Sequence, residues 1–281
     1  MKKFSIPALL ATALLFAGCA KSPRTFTNEE ITEAWHQGVT LPVDASSQFP
    51  PKPVKPQNDN GLNVLVDVSH QCSFAYLWGM PPQLRADGYR AIPSMASLDK
   101  VLDENGVSRM RLQFDEENNV YPFGWVSNYK YNVVLTQQLD RNAPKYTKAE
   151  CEALEDFVAD GGSLYILTNP QSSVEGWSMN DLAAVFGAKY TDKQDKINGF
   201  NYAAIEVDEN WEVVAKGENG LPIRARRTYK DGRVIISGYC EEIKFEDIHE
   251  QASDEEKARK NANNEWRRSV IDDSFGWLCE N

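Results

Sequence analysis

The chain has 281 residues, 42% of them hydrophobic and 25% charged, a globular balance that excludes a fibrous, collagen-like or disordered protein. Its formal charge of −11 excludes broad nucleic-acid binding, because neutralising phosphates needs a clustered basic surface. With three histidines and five cysteines it can build few metal or thiol sites, and no cofactor is expected.

The chain opens with Met1-Lys2-Lys3, followed by an apolar run from Ile6 to Phe16 that is too short to span a bilayer comfortably. That run ends in Leu15-Phe16-Ala17-Gly18-Cys19. The segment resembles the lipobox of bacterial lipoproteins. The resemblance implies that residues 1–18 are a signal peptide and that Cys19 carries a thioether-linked diacylglycerol and an acylated amine. Losing Lys2 and Lys3 would take the formal charge from −11 to −13. Acyl chains contribute about 0.8 kcal/mol per buried methylene, so the membrane would be a permanent partner. Ala20, rather than Asp, follows the cysteine; the same resemblance implies outer-membrane sorting with the domain facing the periplasm.

Residues 19–60 read as the lipidated cysteine and a tether. Thr27-Asn28-Glu29-Glu30 is a capping-box pattern for one short helix through Ile31, Ala34 and Trp35. Pro42, Pro50, Pro51, Pro53 and Pro56 then predict an extended, semi-rigid spacer.

The folded domain is expected over residues 61–281. Leu62 to Val68 is a short apolar, β-branched run that predicts a buried strand. A helix follows Met80-Pro81-Pro82 as far as Asp87-Gly88, then an extended piece from Tyr89 to Ile92 and a helix from Ser97 to Glu104. Arg109 to Tyr131 is aromatic-rich and irregular, with room for a hairpin. Tyr131 to Thr136 is a second buried strand. Thr147-Lys148-Ala149-Glu150 is another capping box, opening a helix whose apolar face is Cys151, Leu154, Phe157 and Val158. Gly161-Gly162 stops it before a third buried strand, Ser163 to Thr168, and Met179 to Phe186 is a helix ended by Gly187.

Continuous apolar strands alternating with helices predict an α/β fold with a mostly parallel sheet flanked by helices. Strands then follow in quick succession: Asn201 to Val207, Trp211 to Val214, Pro222 to Tyr229 and Arg233 to Ser237. Lys230-Asp231-Gly232 predicts an antiparallel hairpin between the last two. Glu250 to Asn264 reads as an exposed loop or frayed helix, and Trp266, Val270, Ile271, Phe275 and Leu278 mark a final amphipathic helix.

The segment Tyr131 to Pro170 carries a further pattern, with Thr147, Glu150, Ala153-Leu154, Phe157-Val158 and Gly161-Gly162 running into Ser163-Leu164. It looks like the signature of class I glutamine amidotransferase-like domains, nearest their ThuA-like, non-amidotransferase branch. The resemblance covers residues 62–280 and implies a flavodoxin-like sheet. In the active members the third strand runs into a cysteine between glycines. Here the turn is Thr168-Asn169-Pro170-Gln171-Ser172-Ser173, and the family's late His-x-Glu pair is missing, His249-Glu250 being adjacent residues in a polar stretch. Glutamine hydrolysis is therefore not expected.

Open α/β sheets bind ligands beyond the carboxyl ends of their parallel strands. That rule selects Ser69, His70 and Gln71, then Gln137 and Gln138, Asn169, and Tyr239, Cys240 and Glu241. His70 titrates near neutral pH and serves either as base or ligand or as a cap on that edge. Cys72 and Cys240 fall on the same edge, where a disulfide is open to them; Cys151 reads as a buried free thiol, and the lack of CxxC spacing argues against zinc.

Glu241, Glu242, Glu246, Asp247 and His249 are either oxygen ligands for a divalent cation or a solvated face. Arg224, Arg226, Arg227, Lys230 and Arg233 are either an anion-binding patch or a charged sheet edge. Tyr76, Trp78, Tyr121, Phe123, Trp125 and Tyr129 suit either sugar or partner contacts or the core. The expected function is a non-catalytic, lipid-anchored periplasmic domain that binds a ligand or partner, either an envelope protein or a glycan. The alternative is a hydrolase, carbohydrate-active in one version, using His70 with Glu241 or a bound metal.

Overall fold

A computed structural model describes residues 58–67, 70, 83–94, 97–102, 107–112, 123–138, 144–170 and 179–280. Cys19, the tether through residue 57, Ser69, Gln71, Cys72, Tyr76, Trp78 and Tyr121 lie outside them.

Seven strands form one sheet: β1 (Asn63–Asp67), β2 (Arg90–Ser94), β5 (Val133–Gln138), β6 (Ser163–Thr168), β9 (Glu212–Lys216), β10 (Pro222–Tyr229) and β11 (Gly232–Ser237). Their spatial order is β2-β1-β5-β6-β11-β10-β9. The first five run parallel, and β10 and β9 extend the sheet antiparallel. The expected α/β architecture is therefore what forms, flavodoxin-like in the order of its five parallel strands. The order reverses between β1 and β5, which places the topological switch point there.

Both faces of the sheet are covered, which is why β5 and β6 are buried at every position. Alternate residues serve opposite layers. Leu65, Val134, Leu164, Ile166 and Val234 meet α1 (Leu98–Val101), α2 (Lys148–Ala159) and α3 (Met179–Val185). Val64, Val66, Leu135, Tyr165, Leu167 and Ile235 meet Leu84, from a helical turn over 83–86, and α4 (Asp254–Leu278).

The Thr147–Glu150 signal works as read, whereas the helix read over Ser97 to Glu104 forms only over Leu98–Val101. Thr147 accepts the Glu150 amide hydrogen at 3.2 Å, while the Glu150 carboxylate takes the Thr147 amide at 2.9 Å, closing the capping box of α2. The polar run before Trp266 is helical from Asp254 onward, because Ser253 caps α4, and the first turns are mostly exposed. Two further hairpins form separate small sheets. One pairs β3 (Val107–Leu112) with β4 (Phe123–Lys130), within the aromatic-rich stretch.

The other pairs β7 (Ala188–Ile197) with β8 (Phe200–Val207). The sequence reading contained only β8. The missing strand precedes Asn198-Gly199, whose φ values of 51° and 79° make the two-residue turn that this dipeptide favours. Gly238 seats this hairpin on the main sheet: a Cβ there would stand 2.0 Å from the Ala203 carbonyl oxygen, and the Ala203 amide donates to the Gly238 carbonyl at 2.9 Å. Among the described residues, no helix is long and apolar enough to cross a membrane.

Candidate functional site at the carboxyl edge

The switch point is bridged by side chains. Asp67, the last residue of β1, and Thr136 of β5 point to the α2 layer, and the Thr136 hydroxyl donates to Asp67 Oδ2 at 2.7 Å. His70, one turn beyond β1, donates its Nδ1 hydrogen to the same oxygen at 2.8 Å. Its Nε2 lies 3.5 Å from Glu150 Oε1 at the head of α2. Tyr146 stacks on the imidazole at 3.8 Å and 7°, and its hydroxyl reaches Thr136 Oγ1 at 2.7 Å. Since Thr136 gives its proton to Asp67, Tyr146 is the donor in that bond. Glu150 also accepts from the Leu98 amide at 3.1 Å, which ties α1 to the same carboxylate.

Asp67, His70 and Thr136 are each 0% exposed. Burial is the largest influence on His70 and disfavours its charge, but Asp67 and Glu150 together outweigh it and raise the imidazole to about 9. Burial likewise opposes ionisation of Glu150, yet His70 and the amides of Thr147 and Leu98 hold it down to about 2. The site is thus an imidazolium between two carboxylates, with the Thr147 amide at the head of α2 and the Leu98 amide at the head of α1 offsetting the surplus negative charge. In this arrangement His70 links Asp67, at the end of β1, to Glu150 at the start of α2.

A second buried cluster lies on the α4 side of the same edge, beyond β11. Glu242 is 1% exposed. It accepts hydrogen bonds from the hydroxyls of Tyr165 and, at 3.1 Å, Tyr202, and lies 3.6 Å from the Arg224 guanidinium. Burial and the Glu242 charge push both tyrosines well above their ordinary range, so they remain protonated donors. Glu241, the sequence candidate, is half-buried, accepts from Tyr239 at 3.2 Å and pairs with Lys244. The inward residue is its neighbour. In an irregular loop no periodicity distinguishes the two, and only the place where the chain turns under α4 decides.

His70 and Glu241 are not brought together. They follow β1 and β11, three strand spacings apart or roughly 14 Å. The acidic run does not assemble as a cation site either: Glu246 bonds Asn263 and Arg267, and no metal-holding group of His, Cys, Asp or Glu occurs among the described residues. The arginines are not an open anion patch on a sheet edge. Arg224 pairs with Glu242, Arg226 with Glu212, and β9 lies outside β10. Arg226 and Arg233 also lie over the Trp277 ring at 5.3 and 5.6 Å.

Gln137 is 0% exposed on the α4 side, Asn169 is half-buried after β6, and Tyr239 stacks on Phe200 at 5.4 Å. Cys240 is buried; Cys72 is undescribed, so a bond between them is not placed. Cys151 is a buried free thiol, as read, and burial pushes it up to about 11.

No family model matches the chain. No curated protein matches it either. Among solved structures it is similar to the mmIFT52 N-terminal domain at 13% identity, covering 78% of this chain and 98% of that one, with a TM-score of 0.48. A cytoplasmic protein from Salmonella typhimurium, STM3548, is 13% identical over 63% of this chain and 87% of its own, with a TM-score of 0.38. The exo-beta-1,4-mannosidase Op5Man5 from Opitutaceae bacterium strain TAV5 is 15% identical over 50% of this chain but only 25% of its own, with a TM-score of 0.33.

Proposed function

We propose that this protein is a lipid-anchored, periplasm-facing domain of the amidotransferase-like class that binds a ligand or an envelope partner at its carboxyl edge without catalysing a reaction. The burial of His70 between Asp67 and Glu150 carries this reading. A general base must reach a substrate proton, and this imidazole is committed to its two carboxylates. The turn after β6 supplies neither a thiol nor an elbow glycine, which also disfavours acyl transfer. The anchor rests on the Leu15-to-Cys19 segment.

The test is fractionation of cells producing the full chain, followed by crosslinking in the intact envelope. Wild type should sediment with membranes until detergent releases it, Cys19→Ser should become soluble, and His70→Gln should keep the wild-type crosslinks. Membrane retention of Cys19→Ser removes the anchor. A hydrolytic activity that His70→Gln abolishes without unfolding the protein removes the non-catalytic reading.

A further inference from the structure

The sequence holds four Asn-Gly pairs: Asn60-Gly61, Asn105-Gly106, Asn198-Gly199 and Asn219-Gly220. In such a pair the glycine amide nitrogen is well placed to attack the asparagine carboxamide, because no Cβ hinders its approach. Asn105-Gly106 lies outside the described residues. In the other three pairs both residues are exposed, and a Cβ built on any of the three glycines would meet nothing within 4 Å. Access therefore does not separate them. Hydrogen bonding does.

At the first pair, the Gly61 amide donates to Asp59 Oδ1 at 2.9 Å and the Asn60 carboxamide oxygen accepts from the Leu62 amide at 2.9 Å. At the last, the Gly220 amide donates to the Gly217 carbonyl at 2.9 Å and the Asn219 carboxamide donates to Asp195 Oδ1 at 2.9 Å. Attacking nitrogen and attacked carboxamide are thus both held in each of these pairs. Asn198-Gly199 is different. It is the tip of the β7–β8 hairpin, with both residues left-handed at φ values of 51° and 79°. A two-residue turn closes through its flanking residues, here Ile197 and Phe200, so the Gly199 amide and the Asn198 carboxamide have no hydrogen-bond partner among the described residues.

We propose that Asn198 is a site of spontaneous modification, converting to aspartate and isoaspartate ahead of Asn60 and Asn219. The Gly199 nitrogen bonds to Asn198 Cγ, the Cγ–Nδ2 bond breaks, and ammonia leaves with the proton of the Gly199 amide. Water then opens the resulting cyclic imide at either of its carbonyls, giving aspartate at one and isoaspartate at the other. Water enters and ammonia departs, with no oxidant or reductant. Ring closure takes the tip out of its left-handed turn, and at Asn198 no side-chain hydrogen bond opposes that movement.

Both products change the neighbourhood of the carboxyl edge. Each adds a negative charge, and isoaspartate also lengthens the main chain by a methylene, so the turn no longer sets Ile197 opposite Phe200. Phe200 is the middle ring of a stack, 5.4 Å from Tyr239 and 5.4 Å from Trp266, and it lies under the Arg267 guanidinium at 4.8 Å. Conversion at the tip therefore disturbs the packing of the hairpin on α4.

The test holds the full chain in detergent at mildly alkaline pH and follows each Asn-Gly peptide with time by mass spectrometry, with isoaspartyl methyltransferase labelling as a second readout. Asn198 should convert about tenfold or more faster than Asn60 and Asn219, since a held amide must first give up its bonds. The isoaspartyl label should fall on residue 198, and tryptophan fluorescence should change in step with it. Asn198→Gly, which accepts the same left-handed φ, should keep its fluorescence through the same incubation. In urea the three pairs should convert at similar rates. Conversion of Asn60 or Asn219 as fast as Asn198 in the folded chain overturns the proposal. So does the same ranking in urea, which would assign the difference to flanking residues rather than to the fold. An Asn198 that stays intact while the urea-unfolded chain converts also overturns it, by showing that the turn protects the pair.

Discussion

His70 shows how one buried side chain turns pH into stability. Its imidazole is raised from 6.5 to about 9, so its contribution is fully present below pH 6.5 and is lost as pH rises through 9. Glu150 is lowered from 4.5 to about 2, so its contribution is present above pH 4.5 and is lost as pH falls through 2. The network is therefore strongest between about pH 4.5 and 6.5. Urea denaturation of wild type should lose on the order of 3 kcal/mol between pH 6.5 and 9 on account of His70. His70→Ala leaves two buried carboxylates without their cation and should cost about 3–5 kcal/mol near neutral pH, with that alkaline slope gone. An unchanged slope in the variant would mean that the imidazole is not the titrating group.

Among the elements, the β7–β8 hairpin makes the clearest test. It meets the main sheet at Gly238, where the Ala203 carbonyl oxygen leaves no room for a side chain. Gly238→Ala should cost about 1–3 kcal/mol through overpacking, and limited proteolysis should then cut within the hairpin before the parallel core. Equal protection of both would show that the backbone yields without cost. The strands Val133 to Thr136 and Ser163 to Thr168 and helix α2 were legible in sequence because each carries its own signal, either a continuous apolar run or a capping box. Strand β7 was not. Its residues Thr191 to Lys193 interrupt the pairing with β8, and the exposed, charged stretch shows no period of two. Its sole sequence mark is the Asn198-Gly199 turn that follows it.

At the scale of the whole molecule, the sheet is stable only when both faces are covered, and α4 is the main cover on one of them. Val270, Ile271, Phe275 and Leu278 shield Tyr165, Leu167 and Ile235, and the Leu278 carbonyl accepts the Ser163 hydroxyl at 2.7 Å. Ending the chain at residue 253 would expose that face, at about 25 cal/mol per Å² of apolar surface returned to water. Such a truncated chain should bind a hydrophobic dye and aggregate rather than unfold cooperatively. A soluble product with native near-ultraviolet circular dichroism would show that α4 is dispensable.

By itself the sequence determined the α/β class, the core strands, the helix caps and the carboxyl edge as the place where polar residues collect. These follow from local periodicity and local hydrogen-bonding chemistry, which a single segment contains. Tertiary structure alone decided which polar residues of that edge are partners. His70 finds Glu150 across 80 positions of chain, Tyr165 finds Glu242 across 77, and Gln137 finds no described partner at all. Burial and pairing depend on which elements close over a residue, and strand order and helix placement set that, not the residue's neighbours in sequence.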